Sequence, residues 1–353
     1  MNNAYKELAK HLNNLPGGFP ETENGVEYRI LQRLFTQEEA ELAIHLKMLP
    51  EEVESIAARV GIDEIELSSK LAVMARKGLI FRRSKNGNDL YSAAMFVVGI
   101  WEYHLNDLDE DLVKDVNEYL PHIAEKVWMK NETKHLRVVP ISKEIIPEMA
   151  ISSYEDAEAI IKKQSKIVVQ ECICRKEHEF IGEKCDYPGE VCLSFGTGAY
   201  YYEKNNLGRS ITVEEALDIL DKGRKAGLVL QPGNAQKPTN ICMCCGCCCQ
   251  ILKNVKKMEK PAMHIHSNFF AQVIEDECVA CGNCADRCHM DAISIEDVAW
   301  VNPDRCIGCG VCITDCPTQA IILKQKEASD VYVPPKNTVE TYMKMAHDRG
   351  LSL

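Results

Sequence analysis

The chain has 353 residues, 46% of them hydrophobic and 27% charged, with a formal net charge of -12. That apolar share supports a buried core and excludes global disorder, the length suits two or three domains, and the acidity argues against nucleic-acid binding by the molecule as a whole. Eighteen cysteines are the anomaly. A chain this long builds a core without disulfide staples. Met1 to Lys10 carries no apolar leader, and the longest apolar run, Ala93 to Trp101, is far short of the ~20 residues that span a bilayer. A reducing cytoplasm is therefore the expected setting, where clustered soft thiolates hold iron–sulfur centres or, second, zinc.

All the cysteines follow residue 170, which divides the chain into a cysteine-free front and a cysteine-rich back. Residues 1–25 read as a polar N-terminal segment. Thr36-Gln-Glu-Glu39 is a capping box that predicts a helix to about Lys47. A second helix is expected from Glu51 to Gly61 and a third from Asp63 to Lys77, with Ile65, Leu67, Leu71 and Met74 apolar. Leu79-Ile-Phe81 and Leu90-Tyr91, about a turn at Asn86-Gly87, predict two short strands. Three helices and a hairpin in this order resemble a winged-helix domain, over residues 26–95. DNA suits it poorly. The third helix opens with Asp63, Glu64 and Glu66, and from Val26 to Met95 ten Lys/Arg face eleven Asp/Glu, a balance of -1, where a DNA binder needs a basic footprint. Arg82, Arg83 and Lys85 favour protein docking or dimerisation instead.

Residues 96–165 are expected to form a helical connector, with Leu112, Val116, Leu120, Ile123 and Val127 at helical spacing. Val138 to Ile141 reads as a strand, Ser152 to Lys163 as a helix with early acids and late lysines, and Ile167 to Val169 as another strand. Residues 166–265 then form a cysteine-rich iron–sulfur domain. Cys172, Cys174, Cys185 and Cys192 are joined by loops at Gly182, Pro188 and Gly189. Cys242, Cys244, Cys245, Cys247, Cys248 and Cys249 place six thiols in eight positions, which no regular element can aim one way. Ten thiolates are two more than two four-ligand clusters need. Either each stretch holds its own cluster, or the ligands mix, with Cys172 and Cys174 meeting part of the 242–249 run. At least one further iron–sulfur cluster is expected here, with [4Fe–4S] its type. Cys244-Cys245-Gly246 also resembles the cysteine-rich signature of heterodisulfide reductase subunits, without that family's far-spaced partner cysteines. Ile211-Thr212 before Glu214 and Glu215 starts a helix. Tyr200, Tyr201 and Tyr202 are expected to pack, Lys253, Lys256, Lys257 and Lys260 to line a solvated helix face, and His264 and His266 to alternate on an exposed strand.

Residues 266–326 hold an internal repeat. Cys278-x2-Cys281-x2-Cys284-x3-Cys288 is followed 28 residues later by Cys306-x2-Cys309-x2-Cys312-x3-Cys316-Pro317, with Gly282 matched by Gly310 and Ala292-Ile293 by Ala320-Ile321. Both halves resemble the bacterial two-cluster ferredoxin family. That resemblance implies crossed ligation: Cys278, Cys281, Cys284 and Cys316 on one [4Fe–4S] cluster, and Cys306, Cys309, Cys312 and Cys288 on the other. His289 stands where the family usually has proline, and an exposed histidine is expected there. Residues 327–353 remain as a C-terminal extension.

The expected fold is thus α+β and multidomain: a winged-helix-like front, a cysteine-rich middle and a bacterial-type ferredoxin fold. No dinucleotide-binding glycine loop and no P-loop is present. The order of parts resembles multi-cluster ferredoxin-like proteins of anaerobes. Electron transfer between cytoplasmic redox partner proteins is the leading expectation. The alternatives are a reductase with a catalytic cluster in the poly-cysteine region and a redox-sensing winged-helix regulator. Homo-oligomerisation through the winged-helix-like part is a further possibility, and catalytic residues are not identified.

Overall fold

A computed structural model describes residues 3–85, 87–142 and 152–351. The N-terminal residues are not merely a polar segment: α1 (Asn3–Asn13) buries Ala4, Leu8 and Leu12, one apolar stripe at a spacing of four,. After it come α2 (Val26–Leu34) and α3 (Gln37–Ala43), whose capping box forms between Thr36 and Glu39 as the sequence predicts. The helix expected at Glu51 starts two residues later. Glu51–Glu52 is instead a short strand, β1, pairing with Tyr91 and Leu90. Next are α4 (Val53–Val60), stopped by Gly61 in the left-handed region, and α5 (Glu64–Arg76), capped by Asp63. β2 (Ile80–Lys85) and β3 (Asn88–Ala93) pair antiparallel and, with β1, make a sheet of order β1-β3-β2. Asn86, in the expected turn, lies outside the described residues.

The stretch expected to be mostly helical from 96 to 165 is only partly so. It contains the short α6 (Trp101–Tyr103) and α7 (Glu110–Ile123), which is capped by Asp109 and continues to Trp128. Asp115 of α7 pairs with Arg29 and Arg33 of α2, and one apolar core runs from Ala4 through Val127. Beyond it the chain is extended, bridging Leu136 to Gly233 and Val139 to Leu230. Residues 143–151 fall outside the described range. α8 (Ala157–Lys162) then opens at Asp156.

The middle region is built on one antiparallel sheet. Its elements in chain order are β4 (Ile167–Glu171), α9 (Ile173–Phe180), β5 (Glu190–Phe195), α10 (Gly196–Lys204), β6 (Arg209–Ile211), α11 (Val213–Lys225), β7 (Val229–Pro232), β8 (Asn240–Cys244) and α12 (Gln250–Lys256). The strand order is β6-β4-β5-β8-β7. Strand alternation decides what each face carries. Ile167, Val169, Val191, Leu193, Phe195, Ile241 and Met243 share a core with Ala157, Ile160, Ile161, Ala216, Ile219 and Leu220 of α8 and α11. The opposite face carries Val168, Cys192, Cys242 and Cys244, and Val168 joins the N-terminal core together with Ala199, Tyr201 and Tyr202. Tyr201 locks that contact, its hydroxyl donating to the Ala75 and Ile80 carbonyls.

The C-terminal region has β9 (Phe269–Val273), α13 (Asn283–Asp286), β10 (Ile293–Ile295), β11 (Ala299–Val301) and β12 (Ile321–Gln325), with β9 paired to β12 and β10 to β11. His264 ends a 3-10 turn rather than lying on a strand, and His266 stacks on Tyr332 with ring centres 3.7 Å apart. The terminal extension is not a tail: α14 (Thr338–Asp348) folds back, and Arg349 donates to the Leu15 and Asn13 carbonyls of the front. Among the described residues, no helix is long and apolar enough to cross a membrane.

Candidate metal centres

The eighteen thiols gather into three groups. The first is in the C-terminal region. Cys278, Cys281, Cys284 and Cys316 line one cavity together with Gly282, Ala299 and Ile321. Cys309 lies within electrostatic range of Cys288 and Cys306, and Cys312 within range of Cys309, Cys306, Cys288 and Cys284. Burial pushes the Cys309 thiol up to about 12, ahead of its thiol neighbours,. A protonated thiol that buried has no use for its polarity, whereas a metal would replace the proton.

Backbone donors point at these sulfurs. Ala299 N–H donates to Cys278 at 3.3 Å, Ala292 N–H to Cys288 at 3.3 Å and Ala271 N–H to Cys306 at 3.4 Å. Such donors stabilise negative charge on a ligating thiolate and tune a cluster's potential. The loops need glycine to come close. A Cβ on Gly308, at φ +65°, would sit 2.0 Å from the Phe269 carbonyl oxygen. The thiol set, the cavity and the N–H donors together fit iron–sulfur clusters.

The second group is a ring of six thiols, with Cys172, Cys244 and Cys249 buried and Cys174, Cys192 and Cys242 half-buried. Each faces two others closely enough to perturb their proton affinity: Cys172 with Cys174 and Cys192, Cys249 with Cys174 and Cys244, and Cys242 with Cys192 and Cys244. The order 172–174–249–244–242–192 closes on itself. Three members come from the sheet face opposite α8 and α11. Cys242 and Cys244 alternate with Ile241 and Met243 on β8, and Leu193 pairs with Ile241, which sets Cys192 beside Cys242,. The other three stand at helix starts. Cys172 and Cys249 are the N-cap residues of α9 and α12, and Cys174 is in the first turn of α9. The partial positive charge of a helix N-terminus favours thiolate. The Cys174 and Cys192 thiols, followed by the nearby Arg175 cation, hold Cys172 well below the ordinary thiol range. Gln231 Nε2 and Asn240 Nδ2 donate to the Cys249 and Cys242 sulfurs, each at 3.7 Å.

The third group is a knot of Cys185, Cys245, Cys247 and Cys248, whose four sulfurs all lie within 4.8 Å of one another. Cys172, Cys174, Cys185 and Cys192 therefore do not converge on one point. Cys185, on the loop after α9, goes to the knot and the other three go to the ring. The 242–249 run divides equally, with Cys242, Cys244 and Cys249 in the ring and Cys245, Cys247 and Cys248 in the knot.

Ring and knot are joined by Arg175, which donates to the Pro188 and Met243 carbonyls at 2.7 and 2.9 Å. Burial works against its charge, yet the Cys172, Cys245 and Cys244 thiols hold its pKa up. His289 joins the knot to the C-terminal group. It is half-buried rather than exposed: its Nδ1 accepts from Gly246 N–H at 3.1 Å, and its Nε2–H donates to the Gly227 carbonyl at 2.7 Å. The lysines after the knot are engaged too. Lys253 donates to His178, Lys256 pairs with Asp291 and Lys260 with Asp304.

A cavity of about 420 Å³ opens against the ring, its wall including Cys192, Cys242, Glu102, Tyr103, Tyr202 and Tyr342. Sequence reasoning missed Glu102 and Tyr103, which directly follow the apolar run Ala93 to Trp101 and carry no motif. Burial raises the Glu102 carboxyl to about 8, so it is protonated at neutral pH,.

Compared with known proteins, residues 277–320 match the family model described as a 4Fe-4S dicluster domain. No curated protein matches the chain. No solved structure matches it either. The chain carries a 4Fe-4S ferredoxin-type domain at residues 277–320, preceded by a separate cysteine-rich region.

Proposed function

We propose that this chain is an iron–sulfur electron-transfer protein in which the ferredoxin-type domain exchanges electrons with a further cluster held by the six-thiol ring. One observation carries the reading: the domain that matches a dicluster family is joined through His289 to a second region rich in buried thiols. Cys278, Cys281, Cys284 and Cys316 would hold one [4Fe–4S] cluster and Cys306, Cys309, Cys312 and Cys288 the other. Cys172, Cys174, Cys192, Cys242, Cys244 and Cys249 would hold the third centre. When bound, such clusters accept and release single electrons. The chain's part is to bury them, to aim the Ala271, Ala292 and Ala299 N–H groups at their sulfurs, and to balance thiolate charge with Arg175.

Anaerobic iron and sulfide quantification with EPR tests this. The intact protein should hold roughly twelve or more irons, and Cys172→Ser or Cys249→Ser should remove only those beyond about eight. A full complement of eight, unaffected by either change, would sink the third centre.

A second reading is a reductase, favoured by the cavity that reaches Cys192 and Cys242. Its substrate would perturb the ring's spectrum and leave the ferredoxin signals alone. The elements α3 to β3 support a winged-helix-like domain, and we assign it to protein contact or self-association. Arg82 of the wing is buried against Asp89 and Asn205, and α5 starts on acids. A gel shift of DNA by holoprotein would reverse that assignment. Cytoplasmic redox proteins are the proposed partners.

A further inference from the structure

Among the described cysteines, only the knot brings four sulfurs all within 4.8 Å of one another. Cys185 Sγ is 3.8 Å from Cys245 Sγ and 3.7 Å from Cys247 Sγ, and Cys248 Sγ is 3.7 Å from Cys247 Sγ. Four sulfurs bound tetrahedrally to one ion at a metal–sulfur distance of about 2.3 Å stand about 3.8 Å apart, 1.63 times the bond length. A four-iron cube places a separate iron behind each thiolate, so its thiolates stand farther apart than the edge of a one-ion tetrahedron. The knot is the size of a single ion.

We infer that Cys185, Cys245, Cys247 and Cys248 form a mononuclear tetrathiolate site for one thiophilic transition-metal ion, zinc or iron, and not a cubane. The surroundings suit a closed site of that kind. Four thiolates around a dication leave a net charge of about -2, which the Arg175 guanidinium, held beside the turn by the Pro188 and Met243 carbonyls, would partly offset,. Gly246 lets the turn lie against His289: a Cβ there would meet the His289 carbonyl oxygen at 2.5 Å. The site also has a structural task. Three ligands sit on one tight turn, while Cys185 comes from the loop between α9 and β5, so the ion staples that loop to the turn that separates Cys244 from Cys249 of the ring. The inference is independent of what the ring holds.

The test uses the anaerobically purified full chain. Cys185→Ser and Cys247→Ser should each lower the metal content by one equivalent per chain with acid-labile sulfide unchanged. If the lost ion is zinc, X-ray absorption at the zinc edge of the unaltered protein should show four sulfurs near 2.3 Å and no metal–metal scattering. If it is iron, Mössbauer spectra of the unaltered protein should contain one tetrahedral mononuclear site alongside the clusters. Both spectra are taken on the unaltered chain, so they hold even if the variants fold badly. Loss of about four irons and four sulfides from either variant, or an unaltered protein lacking any mononuclear metal–sulfur site, would overturn the inference. Failure of the third-centre proposal would appear differently, as an iron count that Cys172→Ser and Cys249→Ser leave alone.

Discussion

His289 is where the chain departs from the usual ferredoxin pattern, and the structure gives the departure a purpose. Proline there could neither accept from Gly246 nor donate to Gly227, so the histidine joins the ferredoxin-type domain to the knot. Burial keeps the imidazole's pKa below its ordinary value, which suits a neutral ring that accepts at Nδ1. His289→Ala leaves a half-buried N–H and a carbonyl unmatched, a cost of about 1–3 kcal/mol for such a group. The amide of Gly246 should then exchange with solvent faster, in a hydrogen-exchange measurement on holoprotein. Unchanged protection would mean the bond does not hold the turn. The sequence marked this residue because it replaced proline, but suggested exposure. Its partners lie 43 and 62 residues upstream, beyond any local pattern. Gly308 was equally silent. Its Cβ would collide with the backbone of β9, so Gly308→Ala should cost the chain about four irons, read by iron analysis against the unaltered protein.

Among elements, the capped helices were the most legible part. Thr36, Asp63 and Thr212 each start a helix by accepting a backbone N–H, because their signals are local,. The ring was legible only as one of two alternatives, that in which Cys172 and Cys174 meet part of the 242–249 run. It depends on β5 and β8 being neighbours in register, which sets Cys192 beside Cys242, and no spacing rule reports which strands pair. The extended segment after α7 was placed in a helical connector, with only Val138 to Ile141 expected as a strand, since its apolar residues serve a sheet edge and not a helix stripe. That segment has a consequence for acid stability. Burial lowers His135 to about 4, and His266, stacked on Tyr332, also to about 4. Both imidazoles are neutral when folded, while the unfolded chain protonates near the ordinary 6.5. Their contribution is therefore complete above about pH 6.5 and lost as the pH falls towards 4. The loss should reach up to about 2 kcal/mol per imidazole by pH 5. Denaturant midpoints at pH 7.5 and pH 5 should draw closer together in His266→Gln than in the unaltered protein. An unchanged gap would show that His266 is not kept neutral.

At the scale of the whole molecule, the last helix walls the cavity beside the ring. Thr338, Val339 and Tyr342 of α14 form part of the cavity wall. The helix is fastened at both ends. Thr341 donates to the Asn234 carbonyl, Asp348 accepts from Thr133 N–H, and Arg349 reaches the Asn13 and Leu15 carbonyls near the start of the chain. The Asp348 and Arg349 bonds are charge-assisted and worth about 1.5–3 kcal/mol each, adding to the burial of Met345 and Ala346. Removing residues 337–353 should therefore open the cavity and expose Cys192 and Cys242 to solvent and oxygen. Of the eight ferredoxin-type thiols, Cys278, Cys281, Cys284 and Cys316 line a different cavity and none lines this one, so they should be indifferent to the loss. On the proposed occupancy, air exposure should strip iron from the ring several times faster in the truncated chain, while the eight ferredoxin-type thiols keep theirs. Arg349→Ala, which loosens the helix without deleting it, should fall between the two. A time course of iron and sulfide content with EPR of the surviving clusters separates the sets. Equal rates for all centres in the three proteins would mean that α14 shields nothing, and the cavity would then lose its claim to be the ring's private opening.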